Sequence, residues 1–221
     1  MKSLTSFNRL LGIFFVFIAA LIIARIIYSG SIRYIFMSWN IFLAWIPYVL
    51  SCYFVVYSKK EKWKQLFLFI SWLLFFTNAL YIVTDLIHLD ESTNVPLWYD
   101  AVLLFASSFI GIIMAFVSLQ KAEYLLKGLF SKKMVNCMIP VILFMGSFGV
   151  YLGRFQRWNS WDVVHNPLAL GMDIFSRFTS PVDNIKTWAI TIILTALYSL
   201  LYFFIRILPH ALHENKTAGP L

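Results

Sequence analysis

The sequence predicts an all-α, polytopic membrane helix bundle, and three observations support this prediction. Hydrophobic residues make up 61% of the 221 residues and charged residues only 13%, about half the charged fraction that is typical of a soluble domain. The apolar residues fall in blocks of about 20, the length that a helix needs to cross a bilayer. Most Lys and Arg residues lie near or between these blocks, so we interpret the net charge of +8 as a membrane feature and expect lipids, not nucleic acid, as partners.

Six apolar segments are predicted to span the membrane within one integral membrane domain covering residues 1–221. Inside a bilayer each segment must satisfy its own backbone groups, so all are expected to be helices. The first segment follows Lys2 and Arg9 and lacks a small-residue cleavage site, which favours an uncleaved span over a signal peptide. The predicted spans are Leu10–Tyr28, Met37–Tyr57, Leu66–Leu86, Leu97–Leu119, Met134–Gly153 and Trp188–Leu208.

The distribution of charge predicts that both termini are cytoplasmic. With that orientation, 12 Lys and Arg residues lie on the inner side and 6 on the outer side, whereas 3 acidic residues lie inside and 7 outside. Positive charge concentrates on the cytoplasmic side of membrane proteins, and this count agrees with that rule. Cys52 and Cys137 then lie near cytoplasmic helix ends, where thiols stay reduced, so we expect no disulfide.

A long outer loop is predicted for residues 154–187. Apolar residues recur in it at roughly helical spacing, with polar residues between them and Pro167 as a break point. This pattern indicates either an amphipathic segment lying on the outer leaflet or a loop packed over the helix ends. The apolar residues are Trp161, Val164, Leu168, Met172, Phe175 and Phe178.

The third span carries one polar stripe near its predicted outer end. At about 100° per residue, Asn78, Tyr81, Asp85 and His88 fall within roughly 80° of one another. Ionisable residues at membrane depth are costly and therefore often functional. Asp85 and His88 could form a base with its orienting carboxylate, or supply two ligands to a divalent metal. The alternative is a polar helix end that hydrogen-bonds a neighbouring span.

Asp100 lies near the start of the fourth span and has two interpretations. A carboxylate at a helix N-terminus can cap the helix. Alternatively, Asp100 is a second catalytic or metal-binding carboxylate near Asp85, because a short loop joins the two helix ends. Ser107, Gly111 and Ser118 continue on the face of Asp100, a small and polar surface that favours close helix packing.

Basic and aromatic residues follow the fifth span. Arg154, Arg157 and Trp161 share a face if the helix continues, and Asn159 lies beside them. Two arginines near aromatics suit the phosphate or carboxylate of a lipid headgroup or lipid-linked substrate. Ordinary headgroup anchoring, or pairing with the carboxylates of spans three and four, is the alternative. Asn40, near the outer end of the second span, could donate to the same cluster or bond the next helix.

These segments resemble a bacterial family of small polytopic membrane proteins catalogued as domain of unknown function 1361. The resemblance covers about residues 37–167 and implies a bacterial membrane setting but no activity. It rests on Asn40 with Phe42-Leu43-Ala44-Trp45-Ile46-Pro47, on Asn78-Ala79-Leu80-Tyr81 with Thr84-Asp85 and His88, on Trp98-Tyr99-Asp100, and on Leu152-Gly153-Arg154-Phe155 with Arg157-Trp158-Asn159-Ser160-Trp161.

The leading hypothesis is an enzyme of the bacterial plasma membrane with a site facing the outer leaflet. Asp85, His88 and Asp100 would be catalytic or would bind a metal. The substrate would be a lipid, a lipid-linked molecule or a lipoprotein. Transfer of a group and hydrolysis fit these residues equally well. A non-catalytic assembly protein and a proton-coupled transporter are the alternatives. The predicted substrate-binding residues are Asn78, Tyr81, Arg154, Arg157, Asn159 and Trp161.

Overall fold

The chain is a helical membrane bundle. A computed structural model describes residues 2–57, 62–90 and 94–217, and within these ranges all regular structure is helical. The helices are α1 (Lys2–Ser29), α2 (Phe36–Tyr57), α3 (Lys62–Tyr81) followed by a 3₁₀ segment (Ile82–His88), α4 (Leu97–Lys127), α5 (Lys132–Phe155), α6 (Asp162–His165), α7 (Pro167–Thr179) and α8 (Ile185–Thr217).

Five helical segments of the described chain are long and apolar enough to cross a membrane: Ser6–Ser29, Lys62–His88, Leu97–Lys127, Lys132–Phe155 and Ile185–Pro209. They contain five of the six predicted spans. The sixth, Met37–Tyr57, corresponds to α2, a helix of 22 residues with Pro47 inside it. A count of six spans and the cytoplasmic placement of both termini stay predictions.

The chain divides into two compact units, residues 1–129 and residues 130–221. In the first unit α4 is the most buried helix, and α1, α2 and α3 pack against it. Its close contact with α3 depends on Gly111, because a Cβ there would collide with Cγ2 of Ile82 and lie 3.2 Å from the carbonyl oxygen of Ala79. The predicted small-residue face of α4 is therefore confirmed at this position, where it brings two backbones together.

In the second unit α5 packs on α8, and α7 covers one end of this pair. Ser131 caps the N-terminus of α5, because its side chain accepts a hydrogen bond from the Met134 amide, as capping serines commonly do. A small core joins Tyr151 and Leu152 of α5 to Leu170 of α7.

The predicted amphipathic segment is confirmed as helical and is broken where expected. Helix α6 ends at His165 and α7 begins at Pro167, a residue that suits a first helical turn because it lacks an N–H. Leu168, Met172 and Phe175 are 67–79% exposed on one face of α7. That this face lies in the outer leaflet stays a prediction.

Candidate functional site

Asp85 is a fully buried carboxylate near the end of the third helix of the first unit. Its exposed fraction is 0%, and its Oδ2 accepts a 2.7 Å hydrogen bond from Nδ2 of Asn40 in α2. A buried charge needs such donors, because desolvation without them is costly. Asn40 was expected either to donate to the polar cluster or to bond the next helix. This hydrogen bond does both, because Asp85 belongs to the cluster and lies in the helical segment after α2.

The segment around Asp85 was predicted to be an α-helix, but its backbone is a tighter 3₁₀ helix from Ile82 to His88. The hydroxyl of Thr84 donates to the Tyr81 carbonyl at 2.6 Å, satisfying an oxygen at the end of α3. In a 3₁₀ helix, residues three apart are eclipsed. Asp85 and His88 therefore lie one above the other, and Asn78 and Tyr81 precede them, half-buried, in α3.

His88 ends the 3₁₀ segment with an exposed side chain. Its carbonyl oxygen accepts a 2.7 Å hydrogen bond from the hydroxyl of Tyr34, and its imidazole meets the ring of Phe36 edge to face with centroids 5.2 Å apart. These contacts, from the segment that leads into α2 and from its first residue, fix both the backbone and the ring of His88. A buried carboxylate and an exposed imidazole thus occupy one face.

Asp100 forms an ion pair that the sequence analysis did not identify. Arg25 of α1 donates from Nε to Oδ1 of Asp100 at 2.7 Å and from Nη2 to Oδ2 at 3.1 Å. The exposed fractions are 2% for Arg25 and 0% for Asp100, so the pair is buried. The guanidinium also lies 4.5 Å from the ring centroid of Tyr34. The N-cap interpretation of Asp100 is wrong, because Pro96 holds that position and Asp100 lies in the first turn.

Tyr34 connects the two carboxylate sites, since it bonds His88 and covers Arg25. Burial raises the pKa of Tyr34, and the negative charge of Asp100 adds to this effect. The phenol therefore stays protonated and keeps donating to His88 throughout the physiological range. Next to Tyr34 in the sequence, the exposed Arg33 donates to Asp90 at 2.7 Å. This hydrogen bond raises the pKa of Arg33.

The remaining predicted site residues lie in the second unit. Arg154 is half-buried in the last turn of α5. Arg157 follows in the left-handed backbone region at φ 63°, which costs an L-residue about 1–2 kcal/mol. The amide N–H of Asn159 donates to Oδ2 of Asp162 at 2.6 Å, so Asn159 closes the turn before α6. Trp161 is 40% exposed.

A second polar cluster in this unit was missed. Arg177 of α7 bonds Asp173 and Asn184, each at 2.7 Å, and Trp158 donates from Nε1 to Asp173 at 2.9 Å. The sequence signal was present, because Asp173 and Arg177 are spaced i, i+4 on the face of α7 opposite its apolar residues.

That Asp85, His88 and Asp100 bind a metal stays a prediction. Among the described residues, no group of three or more His, Cys, Asp or Glu side chains is placed to hold a metal ion. Asp85 and His88 share a face, whereas Arg25 binds both oxygens of Asp100. The first unit therefore combines a carboxylate–imidazole face with a separate buried ion pair.

In a comparison with family models, the family described as "Protein of unknown function (DUF1361)" matches residues 39–201, well over half of the chain. No curated protein and no solved structure matches the chain significantly.

Proposed function

We propose that this chain, which belongs to the DUF1361 family, is an enzyme of the bacterial plasma membrane that acts at the outer leaflet on a lipid, a lipid-linked molecule or a lipoprotein. The observation that carries the proposal is the spacing of the buried Asp85 and the exposed His88, which are three residues apart in a 3₁₀ segment, and residues with that spacing share a face. A histidine oriented by a carboxylate is the usual arrangement of a general base.

In this proposal the roles of the two side chains follow from their burial. His88, exposed at the helix end, accepts the proton of a water or of an acceptor hydroxyl as that oxygen attacks an acyl or phosphoryl centre of the substrate, and returns the proton to the leaving oxygen as its bond to that centre breaks. Asp85 stabilises the imidazolium that forms. Asn40 donates to Oδ2 of Asp85 through a neutral amide and holds the carboxylate in place.

The other predicted residues take supporting roles. Asn78 and Tyr81, which lie about two turns and one turn before Asp85 respectively, are proposed to contact substrate. Arg154 and Arg157 are proposed to bind lipid phosphate within their own unit. Asp100 is left out of the catalytic pair, because its two oxygens are bound by Arg25.

A non-catalytic assembly protein is the second candidate, favoured by the fact that the buried Asp85 and Asp100 both bind donors within the first unit. It predicts that Asp85 serves folding alone. A proton-coupled transporter is less favoured, because the buried residues of α3 are the apolar Trp72, Phe76, Ala79 and Leu80.

The test replaces His88 with Gln and Asp85 with Asn in cells that lack the native copy, and measures folded protein together with the lipid and lipoprotein profile. We expect both variants to fold and the reaction to slow by about 10²–10⁴-fold, the usual contribution of general acid–base catalysis. His165→Gln, at an exposed histidine of α6, is the matched control and should behave as wild type.

Two results would decide against the enzyme. Folded His88→Gln protein with a wild-type profile would remove the catalytic role. Loss of folded protein in both variants would instead favour the assembly protein.

A further inference from the structure

A thiol and an amine from two helices of the first unit lie in contact. Nζ of Lys121 in α4 lies 3.0 Å from Sγ of Cys52 in α2 and donates a hydrogen bond to it. Cys52 is a free cysteine, and both side chains are half-buried. A small molecule from solution can therefore reach the pair, which has no part in the proposed reaction.

Tyr48, one turn before Cys52 in α2, holds the two atoms in place. Nζ of Lys121 lies 4.3 Å from the centroid of the Tyr48 ring, within the range of a cation–π interaction. Sγ of Cys52 donates to the Tyr48 carbonyl oxygen at 3.4 Å. Tyr48 itself is 4% exposed, and its hydroxyl donates to Oδ1 of Asn8 in α1. Contacts among three helices thus fix the sulfur next to the nitrogen.

The contact joins a sulfur that can be oxidised to a nitrogen that can react with the product. The thiolate of a cysteine is its nucleophilic form, and oxidation converts it to a sulfenic acid. The sulfur of a sulfenic acid is electrophilic and condenses with a nearby thiol or nitrogen. At Cys52 the nitrogen in contact is Nζ of Lys121.

We propose that Cys52 and Lys121 form a covalent cross-link between α2 and α4 when the protein meets hydrogen peroxide. In the first step the Cys52 thiolate attacks one peroxide oxygen, the O–O bond breaks, and the departing hydroxide is protonated to water. In the second step the deprotonated amine of Lys121 attacks the sulfur of the sulfenic acid. The S–O bond breaks, and the departing hydroxide takes a proton from the nitrogen and leaves as water.

The product is a sulfenamide, in which an S–N bond joins the two side chains. One thiol, one amine and one peroxide give one sulfenamide and two waters, so the sulfur is oxidised and the peroxide is reduced. The cross-link fastens α2, which also carries Asn40, to α4. Neither Asp85 nor His88 takes part, so the test is independent of the proposed function.

The test treats the purified full chain in detergent with hydrogen peroxide and analyses a proteolytic digest by mass spectrometry. We expect two peptides joined through Cys52 and Lys121, with a mass lower than the sum of both peptides by two hydrogen atoms. A thiol reductant should separate the peptides and restore the free thiol, because it attacks the sulfur and releases the amine.

Two variants identify the nitrogen. Lys121→Arg keeps a cation near Tyr48, but a guanidinium stays protonated and is not an amine nucleophile. The cross-link should then disappear, and peroxide should carry Cys52 on to the sulfinic acid. Lys127→Arg is the matched control on the same helix, since Lys127 pairs with Glu123 at 2.7 Å. It should cross-link as the wild type does.

Three results would overturn the proposal. The first is oxidation of Cys52 to the sulfinic acid in the wild type with Lys121 unmodified. The second is an unreacted Cys52 under conditions that oxidise the exposed Cys137, and the third is a cross-link that persists in Lys121→Arg. The first two are read in the wild-type chain, so they decide the question even if Lys121→Arg does not fold.

Discussion

At the scale of single residues, the buried carboxylates Asp85 and Asp100 of the first unit accept hydrogen bonds from different kinds of nitrogen donor. Asp100 is bound at both oxygens by the cationic Arg25, so its charge is neutralised where it lies. Asp85 accepts from the neutral amide of Asn40 in α2. The two-point ion pair supports a structural role for Asp100, and the chemical role proposed for Asp85 rests on its spacing from His88 in the 3₁₀ segment.

The buried ion pair should make the first unit sensitive to single substitutions on either side. Arg25→Met leaves Asp100 buried without its cation, which is expected to cost about 3–5 kcal/mol of unfolding free energy. The double variant Arg25→Met/Asp100→Leu should recover most of this loss, because it removes both desolvated charges. Reversible unfolding in mixed micelles of the wild type, both single variants and the double variant measures the coupling.

The exposed pair of Arg33 and Asp90, with both side chains 40% exposed, provides the comparison. Arg33→Met should change stability by less than about 1 kcal/mol, since exposed ion pairs contribute little. A double variant at Arg25 and Asp100 as unstable as the sum of its single variants would contradict the structural role of this pair.

At the scale of helices, the position of Asp85 depends on how closely the third helix approaches α4. The 3₁₀ segment begins at Ile82, the residue that packs on Gly111, and the Ile82 carbonyl oxygen accepts from the Ser108 hydroxyl at 3.1 Å. Small residues on α4 thus hold the start of the segment that carries Asp85 and His88.

Gly111→Ala should therefore destabilise the first unit by about 1–3 kcal/mol, the usual cost of overpacking. The added Cβ collides with Cγ2 of Ile82. Adding Ile82→Ala removes that atom, so the loss in the double variant should be smaller than the sum of the two single losses. Unfolding free energies of the three variants measure this coupling.

Gly12 of α1 is the matched control, because a Cβ there meets nothing within 4 Å. Gly12→Ala should be neutral or stabilise the helix by up to about 1 kcal/mol. Additive losses at positions 82 and 111 would show that the two helices do not depend on this contact.

At the scale of the whole molecule, the sequence predicted the parts of the fold that depend on local pattern. Long apolar runs located the helices that could span a membrane, and the break at Pro167 located the start of α7. The pairing of Arg25 with Asp100, 75 positions apart, was not predicted because it depends on how α1 packs on α4. The 3₁₀ backbone was not predicted either. The periodicity of the residues alone does not distinguish a helix that tightens to 3₁₀ after Tyr81 from one that continues as an α-helix.

The candidate site was predicted in part for the same reason. Asp85 and His88 are three residues apart, so any helical backbone places them near one face. Arg154 and Arg157 were predicted from local composition, whereas the Arg177 cluster required the chain to fold α7 back onto α5 and α8. Spacing within one helix could therefore be read from the sequence, whereas contacts between helices could not.

The central claim is that the face carrying Asp85 and His88 opens to the outer side of the membrane. Labelling of His88→Cys with a membrane-impermeant maleimide in intact cells, in a background without Cys52 and Cys137, tests it most directly. Leu129→Cys, at an exposed position predicted to be cytoplasmic, is the control. The account predicts that position 88 reacts in intact cells and position 129 only after permeabilisation. Labelling of position 88 only after permeabilisation, with position 129 reacting in intact cells, would contradict it.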